Sequence, residues 1–454
     1  MMVSFKIVNS FKSLYFTSLF YKLIWSLTVL FLISFFYFSL FWVAIVLTLL
    51  LLFLSVFDLF LLFKPGSGSY ISAYRFLNKR FSNGDSNEII IDVKNTAPFA
   101  LTVEIIDEIP VQFQKRDFYL KRRLQASQSN QLRYCLTPVT RGVYSFGFLN
   151  VFVTTPLSLV IRRYRCESSR FDVEVYPSYI QMRRYQIMAL SDRLNDIGVK
   201  KIRRIGHHSE FDQIREYIKG DDIRTINWKA TARRNELMVN QYQDEKSQQV
   251  FSVVDMGRTM KMPFKGMTLL DYAINCSLVI SGITMLRHDK AGLITFNDKV
   301  RTILPASRRN YHQIKTIMEV LYNQHTTFAE HNIESLYINI RRYINQRSLL
   351  FLYTNFESLL SAQREIPLLQ KIASVHLLVV VFFENSEIVD SLAGRQDHIV
   401  DIYRNAVAEK YVVEKYHIAK ELKMNGINVL LTSPNKLTTD TVNKYLEFKS
   451  RGFI

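Results

Sequence analysis

The longest apolar run of the chain lies between Lys22 and Lys64, and Asp58 is its one charged residue. A continuous helix over this run would be about 60 Å long at 1.5 Å per residue, roughly twice the thickness of a bilayer core. Aromatic side chains near its middle suit a turn at the membrane interface. The pattern predicts a membrane hairpin over residues 1–64, with spans at about 20–39 and 42–63.

Basic residues flank both ends of this hairpin, with Lys6 and Lys12 before it and Lys64 after it. Because cytoplasmic loops carry an excess of Lys and Arg, both ends and all residues after 65 are expected to face the cytoplasm. The chain is therefore predicted to be a multi-pass protein embedded in the lipid bilayer. Asp58 lies near the cytoplasmic end of the second span, which favours an interfacial or helix-packing residue over an intramembrane functional acid.

Short apolar or alternating segments follow the hairpin, and turn residues separate them at intervals too short for helices. They predict a β-sandwich domain over residues 70–180. The sequence shows no cluster of His, Cys or carboxylate residues there, so spacing or protein contact is its expected role. The clearest segments are 88–93, 101–106, 143–148 and 171–175.

From residue 250 onward, near-continuous apolar strands alternate with helical segments. Strands of this kind form parallel sheets that helices cover on both faces, so residues 250–454 are predicted to form a doubly wound α/β domain. In such sheets ligands bind outside the carboxyl ends of the strands. The polar and basic residues 181–249 are predicted to be a connector followed by a signature segment.

Composition narrows the function further. The chain has 58 Lys and Arg against 40 Asp and Glu, a net charge of +18, but this excess is spread along the sequence. No aromatic-plus-basic binding motif accompanies it, so we predict no nucleic-acid partner. Three scattered cysteines do not make a disulfide framework. No phosphate loop, metalloprotease motif or nucleophile elbow occurs, which favours a protein that is not an enzyme.

Asp255 ends the first strand of the α/β domain, with Gly257 and Thr259 at two-residue steps behind it. A carboxylate with hydroxyls at such steps presents oxygen atoms to a hard cation such as Mg²⁺. The pattern resembles the von Willebrand factor A domain, whose metal-ion-dependent adhesion site uses Asp-x-Ser-x-Ser, a later Thr and a later Asp. By this resemblance Gly257 replaces the first Ser, Thr259 serves for the second, Thr326 supplies the later Thr, and Asn355 replaces the second acid.

Two interpretations of this degenerate site stay open. In the first, Asp255, Thr259 and Thr326 hold Mg²⁺, more weakly than a complete site because one carboxylate and one hydroxyl are missing. In the second, no cofactor is bound, and Asp255 caps the following turn and helix through backbone N–H groups.

Residues 206–233 contain Arg-x-Tyr, Gly-Asp-Asp-x-Arg-x-Ile-x-Trp-Lys and Ala-x-Arg elements. This segment closely resembles the hallmark of the bacterial family called domain of unknown function 58. Its charged residues can form an ion-pair network around Trp228. Such a network would serve either as a docking face or anion site, or as a lock that holds the segment on the α/β domain. The residues are Arg215, Asp221, Asp222, Arg224, Lys229 and Arg233.

The family resemblance implies a partner, because members look like companions of MoxR-type AAA+ ATPases in assembly, maturation or envelope stress. We therefore expect a non-enzymatic scaffold or adaptor in the inner (cytoplasmic) membrane of a bacterium, which binds a protein through the face carrying Asp255. The alternative is a metal-dependent hydrolase that uses Asp255 together with Asp221 and Asp222, where the signature segment joins the α/β domain.

Overall fold

The structure is a computed structural model, and two compact units divide the chain. Unit 1 contains Met1–Phe81, Ser86–Pro138 and Gly142–Val175, and unit 2 contains Ser82–Asp85, Val139–Arg141 and Tyr176–Ile454. Within these ranges the structure describes residues 13–63, 70–166, 170–190, 210–219, 221–243, 247–307, 310–326, 328–385, 387 and 399–453. The basic flanks Lys6, Lys12 and Lys64 lie outside the described residues.

Unit 1 opens with a short strand, β1 (Leu14–Phe16), and two apolar helices, α1 (Ser18–Ser34) and α2 (Ser39–Phe63). Helix α2 is long and apolar enough to cross a membrane, and nearly all of it is exposed. Helix α1 is a shorter apolar helix of 17 residues. These exposed apolar surfaces indicate membrane association. Helix α1 ends at Ser34, whereas the first span was predicted to end at 39. Residues 35–38 form the connection to α2.

The remainder of unit 1 is rich in β-sheet, as predicted. Its strands form a five-stranded sheet in the order β1-β10-β9-β5-β6 and two three-stranded sheets, β3-β11-β8 and β2-β4-β7. Inward-facing residues of all three sheets share one apolar core. The strands are β2 (Ile71–Phe76), β3 (Arg80–Ser82), β4 (Asn87–Asn95), β5 (Leu101–Asp107), β6 (Tyr119–Leu124), β7 (Ser129–Leu136), β8 (Gly142–Phe146), β9 (Leu149–Thr154), β10 (Val160–Cys166) and β11 (Phe171–Tyr176).

Asp58 joins helix α2 to this β-rich part of unit 1. Its buried carboxylate accepts hydrogen bonds from the backbone N–H of Leu159 at 3.0 Å and of Val160 at 2.9 Å, and from the hydroxyl of Thr155. At the start of α1, the hydroxyl of Thr17 donates to the carbonyl oxygen of Ser158 at 2.6 Å. Asp58 is therefore a helix-packing residue, in agreement with its interpretation from the sequence.

Unit 2 is built on a six-stranded sheet in the order β18-β17-β14-β19-β20-β21. Strands β14, β17, β19, β20 and β21 pair in parallel, and β18 pairs with β17 in the antiparallel direction. Two apolar cores, made of alternate residues of the same strands, lie on opposite faces of the sheet. The α/β prediction is thus met, while the von Willebrand factor A-like assignment stays a prediction.

The helices and strands of unit 2 have the following bounds. The helices are α3 (Tyr179–Leu190), α4 (Trp228–Arg234), α5 (Leu269–Leu286), α6 (Asn310–Tyr322), α7 (Ile333–Tyr343), α8 (Leu359–Val375), α9 (Ile399–Met424) and α10 (Leu437–Arg451). The strands are β12 (Glu210–Glu216), β13 (Met238–Gln243), β14 (Gln249–Asp255), β15 (Pro263–Phe264), β16 (Met267–Thr268), β17 (Lys290–Phe296), β18 (Val300–Ser307), β19 (Leu349–Tyr353), β20 (Leu377–Phe383) and β21 (Asn428–Thr432).

The segment predicted as a connector contains regular structure and belongs to unit 2. Residues 179–190 form helix α3, whose Tyr185 and Met182 pack on the core around α5 while Arg183 and Arg184 remain exposed. Residues 210–243 form the hairpin β12–β13 with α4 between its strands. Helix α5 also meets the length and apolarity of a membrane span, but it is the buried core helix of this unit.

Candidate functional site

Asp255 is the last residue of the central strand β14 and is fully buried at the carboxyl edge of the sheet. Its Oδ1 accepts a hydrogen bond from the backbone N–H of Gly257 at 2.7 Å. Its Oδ2 accepts one from the hydroxyl of Thr354 at 2.7 Å, and Thr354 directly follows the neighbouring strand β19. The carboxylate therefore fastens two adjacent strand ends and caps the turn that follows its own strand.

His331 is a residue of the site that the sequence pattern did not reveal. Its Nδ1 lies 2.9 Å from Oδ2 of Asp255, and its Nε2 lies 2.8 Å from Oε1 of Glu365 on α8. Burial works against the charged imidazole, but the hydrogen bonds to Asp255 and Glu365 prevail and raise the pKa of His331 to about 10. At neutral pH the ring is consequently an imidazolium held between two carboxylates.

The loop between α6 and α7 carries His331 to this place. The backbone N–H of Arg258 donates to the carbonyl oxygen of Ala329 at 3.1 Å, and the N–H of Asn332 donates to the carbonyl oxygen of Asn297 at 2.8 Å. Asn332 also caps α7 through its side chain, which accepts from the N–H of Ser335. Anchors on both sides of His331 thus fix where its side chain enters the site.

Asn355 faces a second internal cation. Its Oδ1 accepts a hydrogen bond from Nζ of Lys415 on α9 at 2.7 Å, and the same ammonium donates to the carbonyl oxygen of Phe356. Burial lowers the pKa of Lys415 to about 8, against the opposing effects of Glu414 and Glu357. The amide group of Asn355 is accordingly directed to Lys415.

The structure brings four of the predicted site residues to one edge of the sheet: Asp255, Gly257, Thr259 and Asn355. Nδ2 of Asn355 lies 3.4 Å from the carbonyl oxygen of Thr259, and the buried hydroxyl of Thr259 has no hydrogen-bond partner among the described residues. Thr326 is half-buried in the loop that carries His331. In the part of the chain that the structure describes, no hydrogen bond joins Thr326 to Asp255; His331 of the same loop makes that contact instead.

The arrangement does not fit a Mg²⁺ ion. Both oxygens of Asp255 already accept hydrogen bonds, and the positive charge beside them belongs to His331. The described residues include no group of three or more His, Cys, Asp and Glu side chains that could hold a metal ion. The hydrogen bond from the N–H of Gly257 agrees with the proposed capping of the turn by Asp255. Metal binding by Asp255, Thr259 and Thr326 stays a prediction.

In its described residues, the signature segment is held by an ion pair and by helix caps. Arg215 binds Asp221 through two hydrogen bonds of 2.8 and 2.6 Å, which join the end of β12 to the following turn. Asp222 caps a short 3₁₀ helix by accepting from the N–H of Arg224. Trp228 is 68% exposed at the start of α4. Lys229 and Arg233 are also exposed, because this short helix directs them to solvent.

Exposed side chains surround Asp255 and His331. They lie on the loop after β14, on the loop between α6 and α7, and in the segment that follows β19. Arg258 pairs with Glu357 at 2.8 Å and lies 3.8 Å from Glu330. Nζ of Lys261 lies 3.8 Å from the ring centroid of Phe328. Two large apolar side chains are exposed, Phe328 at 75% and Leu360 at 71%. We call this set the loop surface: Arg258, Lys261, Phe328, Glu330, Glu357 and Leu360.

Comparison with known proteins locates the similarity in unit 2. A family model described as "Protein of unknown function DUF58" matches residues 213–384. The uncharacterized protein YeaD of Bacillus subtilis (strain 168) is 28% identical over 182 residues, which are 38% of this chain and 44% of that protein. The chain thus aligns with less than half the length of this relative.

Two solved structures of bacterial proteins align with nearly their whole length. The conserved hypothetical protein BatB from Bacteroides thetaiotaomicron is 13% identical, with 44% of this chain and 98% of that chain covered and a TM-score of 0.31. An aerotolerance-related membrane protein from Bacteroides fragilis NCTC 9343 is 15% identical, with 45% and 99% covered and a TM-score of 0.28. The family match at residues 213–384 includes Asp255, His331 and Asn355 and most of the hairpin β12–β13. This chain is therefore similar to that family in the region that contains the candidate site.

Proposed function

We propose that the chain is a non-enzymatic, membrane-anchored adaptor, and that unit 2 binds a protein partner through the loop surface. One observation carries the proposal: at the carboxyl edge of the sheet, the buried polar groups bond one another, and exposed apolar and charged side chains stand above them. An edge of this kind supports recognition.

The buried network supports this surface without touching a partner. Asp255 and Asn355 are almost completely buried, so a partner cannot reach them directly. Their bonds fix the loops that follow β14 and β19, and His331 fixes the loop between α6 and α7. We therefore propose that exposed residues close to Asp255 and Asn355 in sequence contact the partner, and that Asp255 and Asn355 do not.

Phe328 and Leu360 are the proposed anchors. Large apolar side chains that bind in a partner's pocket contribute most of the energy of a protein interface, and exposed ones mark such surfaces. Leu359, the neighbour of Leu360, lines a cavity of about 480 Å³. The rest of its lining is Ala406, Glu409, Lys410, Val413, Glu414 and His417.

Charges of both signs surround Phe328 and Leu360, which favours binding of a specific partner over non-specific hydrophobic association. Arg258, Glu330 and Glu357 are exposed, so their ion pairs contribute little to stability and remain available for exchange with a partner's charges. Lys261 covers one face of the Phe328 ring until a partner displaces it.

The family resemblance supports a MoxR-type AAA+ ATPase as the partner, in assembly, maturation or envelope stress. Helices α1 and α2 would hold the adaptor in the inner membrane of a bacterium, and the basic flanks of the hairpin favour the cytoplasmic side for unit 2. An adaptor of this kind would bring a soluble ATPase to the bilayer.

A binding experiment with the full chain tests the proposal. The detergent-solubilised protein is immobilised, and its affinity for the purified MoxR-type ATPase of the same organism is measured for the wild type, Phe328→Ser and Leu360→Ser. We expect each substitution to weaken binding at least about tenfold, as the loss of a central anchor does. The matched control is Met424→Ser at the end of α9, where the side chain is 74% exposed outside this surface.

Equal binding by all four proteins would overturn the loop surface as the contact site. The hydrolase alternative has no observation in its favour, because Asp221 is engaged by Arg215 and Asp222 caps a helix while Asp255 is buried.

A further inference from the structure

Strand β18 is an edge strand of the six-stranded sheet of unit 2, and β17 is its one neighbour in that sheet. Alternate backbone N–H and C=O groups of an edge strand point away from the sheet and can pair with an added strand. Pairing with β17 is regular at residues 302–304, and the register shifts on both sides of this stretch. Arg301 and Pro305 flank it, so the edge can accept only a short added strand.

A cavity runs along the same edge. It has a volume of about 770 Å³ and lies between β18, the last turns of α7, the three residues that follow α7 and the start of β14. We call this cavity the edge groove. Its volume is typical of ligand sites. The residues of β18 that line it extend from Val300 to Ala306, which is about 20 Å at 3.3 Å per residue. This elongated shape beside a strand edge fits an extended peptide.

The floor of the edge groove is apolar, and a glycine makes room for part of it. Phe251 of β14, Ile303 of β18 and Ile344 after α7 supply the apolar lining. Phe251 pairs with Gly292 of β17, where a Cβ atom would lie 2.4 Å from two atoms of the Phe251 ring. Because Gly292 has no side chain, the ring can cover β17 and reach the groove beside β18.

The wall opposite β18 carries amide side chains. Asn339 and Tyr343 lie four residues apart on one face of α7, and Asn345 and Gln346 follow the helix. At the end of the groove, Nε2 of Gln249 donates a hydrogen bond to Oε1 of Gln346 at 2.8 Å. An amide side chain both donates and accepts hydrogen bonds, so this wall matches the peptide groups of a bound segment.

The charge around the edge groove is positive. Its lining includes Arg301 and no Asp or Glu. Arg301 pairs with Asp298 at the surface, at 3.2 Å, and such exposed pairs exchange readily with a partner's charges. Arg342 is exposed with its Cζ 5.5 Å from the ring centroid of Tyr343, and exposed Arg347 directly follows the last lining residue. These cations favour a segment that carries Asp or Glu.

We propose that the edge groove binds an extended, acidic segment of a second protein, which adds to β18 as a further strand and packs alternate apolar side chains on Phe251 and Ile303. Backbone hydrogen bonds supply affinity in this mode, and the groove selects side chains at every second position. The edge groove and the loop surface share no residue. Unit 2 would thus hold two proteins at separate places, which goes beyond the single contact of the proposed function.

Peptide selection on the full chain tests the inference. A displayed library of random peptides of about eight residues, the length of β18, is selected on the protein in lipid nanodiscs, with empty nanodiscs to remove lipid binders. We expect the enriched peptides to alternate apolar and polar residues and to contain more Asp and Glu than Lys and Arg. The peptide with the highest affinity is then synthesised, and its binding is measured by fluorescence anisotropy.

Variants of α7 locate the bound peptide. Asn339→Trp fills the edge groove and Tyr343→Ala removes part of its wall, so each should weaken binding at least about tenfold. Arg342→Glu should weaken it at least about threefold, because it opposes the acidic residues. Arg341→Glu is the matched control, since Arg341 is exposed two residues from both Asn339 and Tyr343, on the other side of the helix. It should bind like the wild type.

Methylation of single backbone nitrogens of the synthetic peptide tests the pairing itself. In an added strand, successive N–H groups point alternately toward β18 and away from it. N-methylation should therefore abolish binding at every second position and be tolerated at the positions between. A peptide that tolerates methylation at all positions would contradict strand addition.

Three other outcomes would overturn the inference. They are failure to enrich any peptide, equal binding to the folded Tyr343→Ala protein and the wild type, and a wild-type dimer that Asn339→Trp dissociates, which would place a second copy of the chain at the edge. If Asn339→Trp does not fold, Tyr343→Ala decides alone. No ATPase takes part in these measurements, so their failure and the failure of the loop surface as a contact site are distinguishable.

Discussion

His331 Nδ1 and Asp255 Oδ2 lie 2.9 Å apart in the interior of unit 2, and this ion pair joins the loop before α7 to the end of β14. The half-buried carboxylate of Glu365 on α8 contacts the other ring nitrogen of His331, so the imidazole lies between two carboxylates. The backbone hydrogen bond between Arg258 and Ala329 lies beside this ion pair. The exposed residues of the loop after β14 and of the loop before α7 therefore depend on the ion pair for their position.

Replacement of His331 by Ala should destabilise the protein strongly. The substitution leaves the buried carboxylate of Asp255 and the half-buried carboxylate of Glu365 without their shared cation. Loss of one partner of a buried ion pair costs about 3–5 kcal/mol. The free energy of unfolding, measured by urea titration of the full chain in EDTA, reports the loss. The exposed His312→Ala control should change it by less than about 0.5 kcal/mol. An equally small change in the free energy of unfolding for His331→Ala would contradict a charged histidine that stabilises the fold.

The ionisation of His331 should also affect how the stability of the protein depends on pH. The pKa of His331 is raised from 6.5 to about 10 on folding, so the folded protein holds a proton that the unfolded chain releases between these values. Its stabilising contribution is complete below pH 6.5 and is lost as the pH rises through 10. Relative to His331→Gln, the wild type should therefore lose stability from pH 7 to 10 in urea titrations. Parallel curves for the two proteins would show that His331 does not gain a proton on folding.

Lys415 should act with the opposite sign. Burial lowers its pKa from 10.5 to about 8, so the unfolded chain holds more protons between these values and the wild type should gain stability there as the pH rises. Relative to Lys415→Met, the difference should be constant below pH 8 and should shift in favour of the wild type above it. Stability titrations of both proteins from pH 7 to 10.5 provide the check, and a shift in favour of the variant would contradict the buried, cationic lysine.

The sequence predicts the part of the architecture that depends on local pattern. Apolar strands alternate with helices from residue 249 onward, as predicted, because burial on both faces of the sheet leaves a continuous apolar signal in strands such as β14 and β20. Strand β18 escapes prediction, since it is an edge strand with Arg301 and Pro305 interrupting its apolar residues. Helix α3 was not predicted because its apolar residues are interrupted by polar and basic ones such as Arg183 and Arg184.

The site is predicted only in part, for a different reason. Asp255, Thr259 and Asn355 follow from their positions after strands, which the topology brings to one edge. Thr326 was favoured by a motif that expects a hydroxyl from that loop, whereas His331 of the same loop contacts Asp255. No spacing in the sequence links His331 to Asp255 or to Glu365, because the contact depends on how a loop folds back over the sheet.

Asp58 offers a last prediction, in the membrane-associated unit. Its carboxylate is buried at the end of α2 and accepts from two backbone N–H groups, of Leu159 and Val160, and from the hydroxyl of Thr155. Asp58→Ala would leave these donors without an acceptor, at about 1–3 kcal/mol for each group that stays unsatisfied. Asp58→Asn keeps one acceptor oxygen, so its loss should be intermediate.

Thermal unfolding of the full chain in lipid nanodiscs distinguishes these variants, with the exposed Asp172→Ala of β11 as the control. We expect the melting temperature to fall in the order wild type, Asp58→Asn, Asp58→Ala, because each step removes acceptors from the same three donors. The control should melt with the wild type. An Asp58→Ala protein that did the same would mean that helix α2 is held to the β-rich part of unit 1 by its apolar contacts alone, with the buried carboxylate contributing nothing.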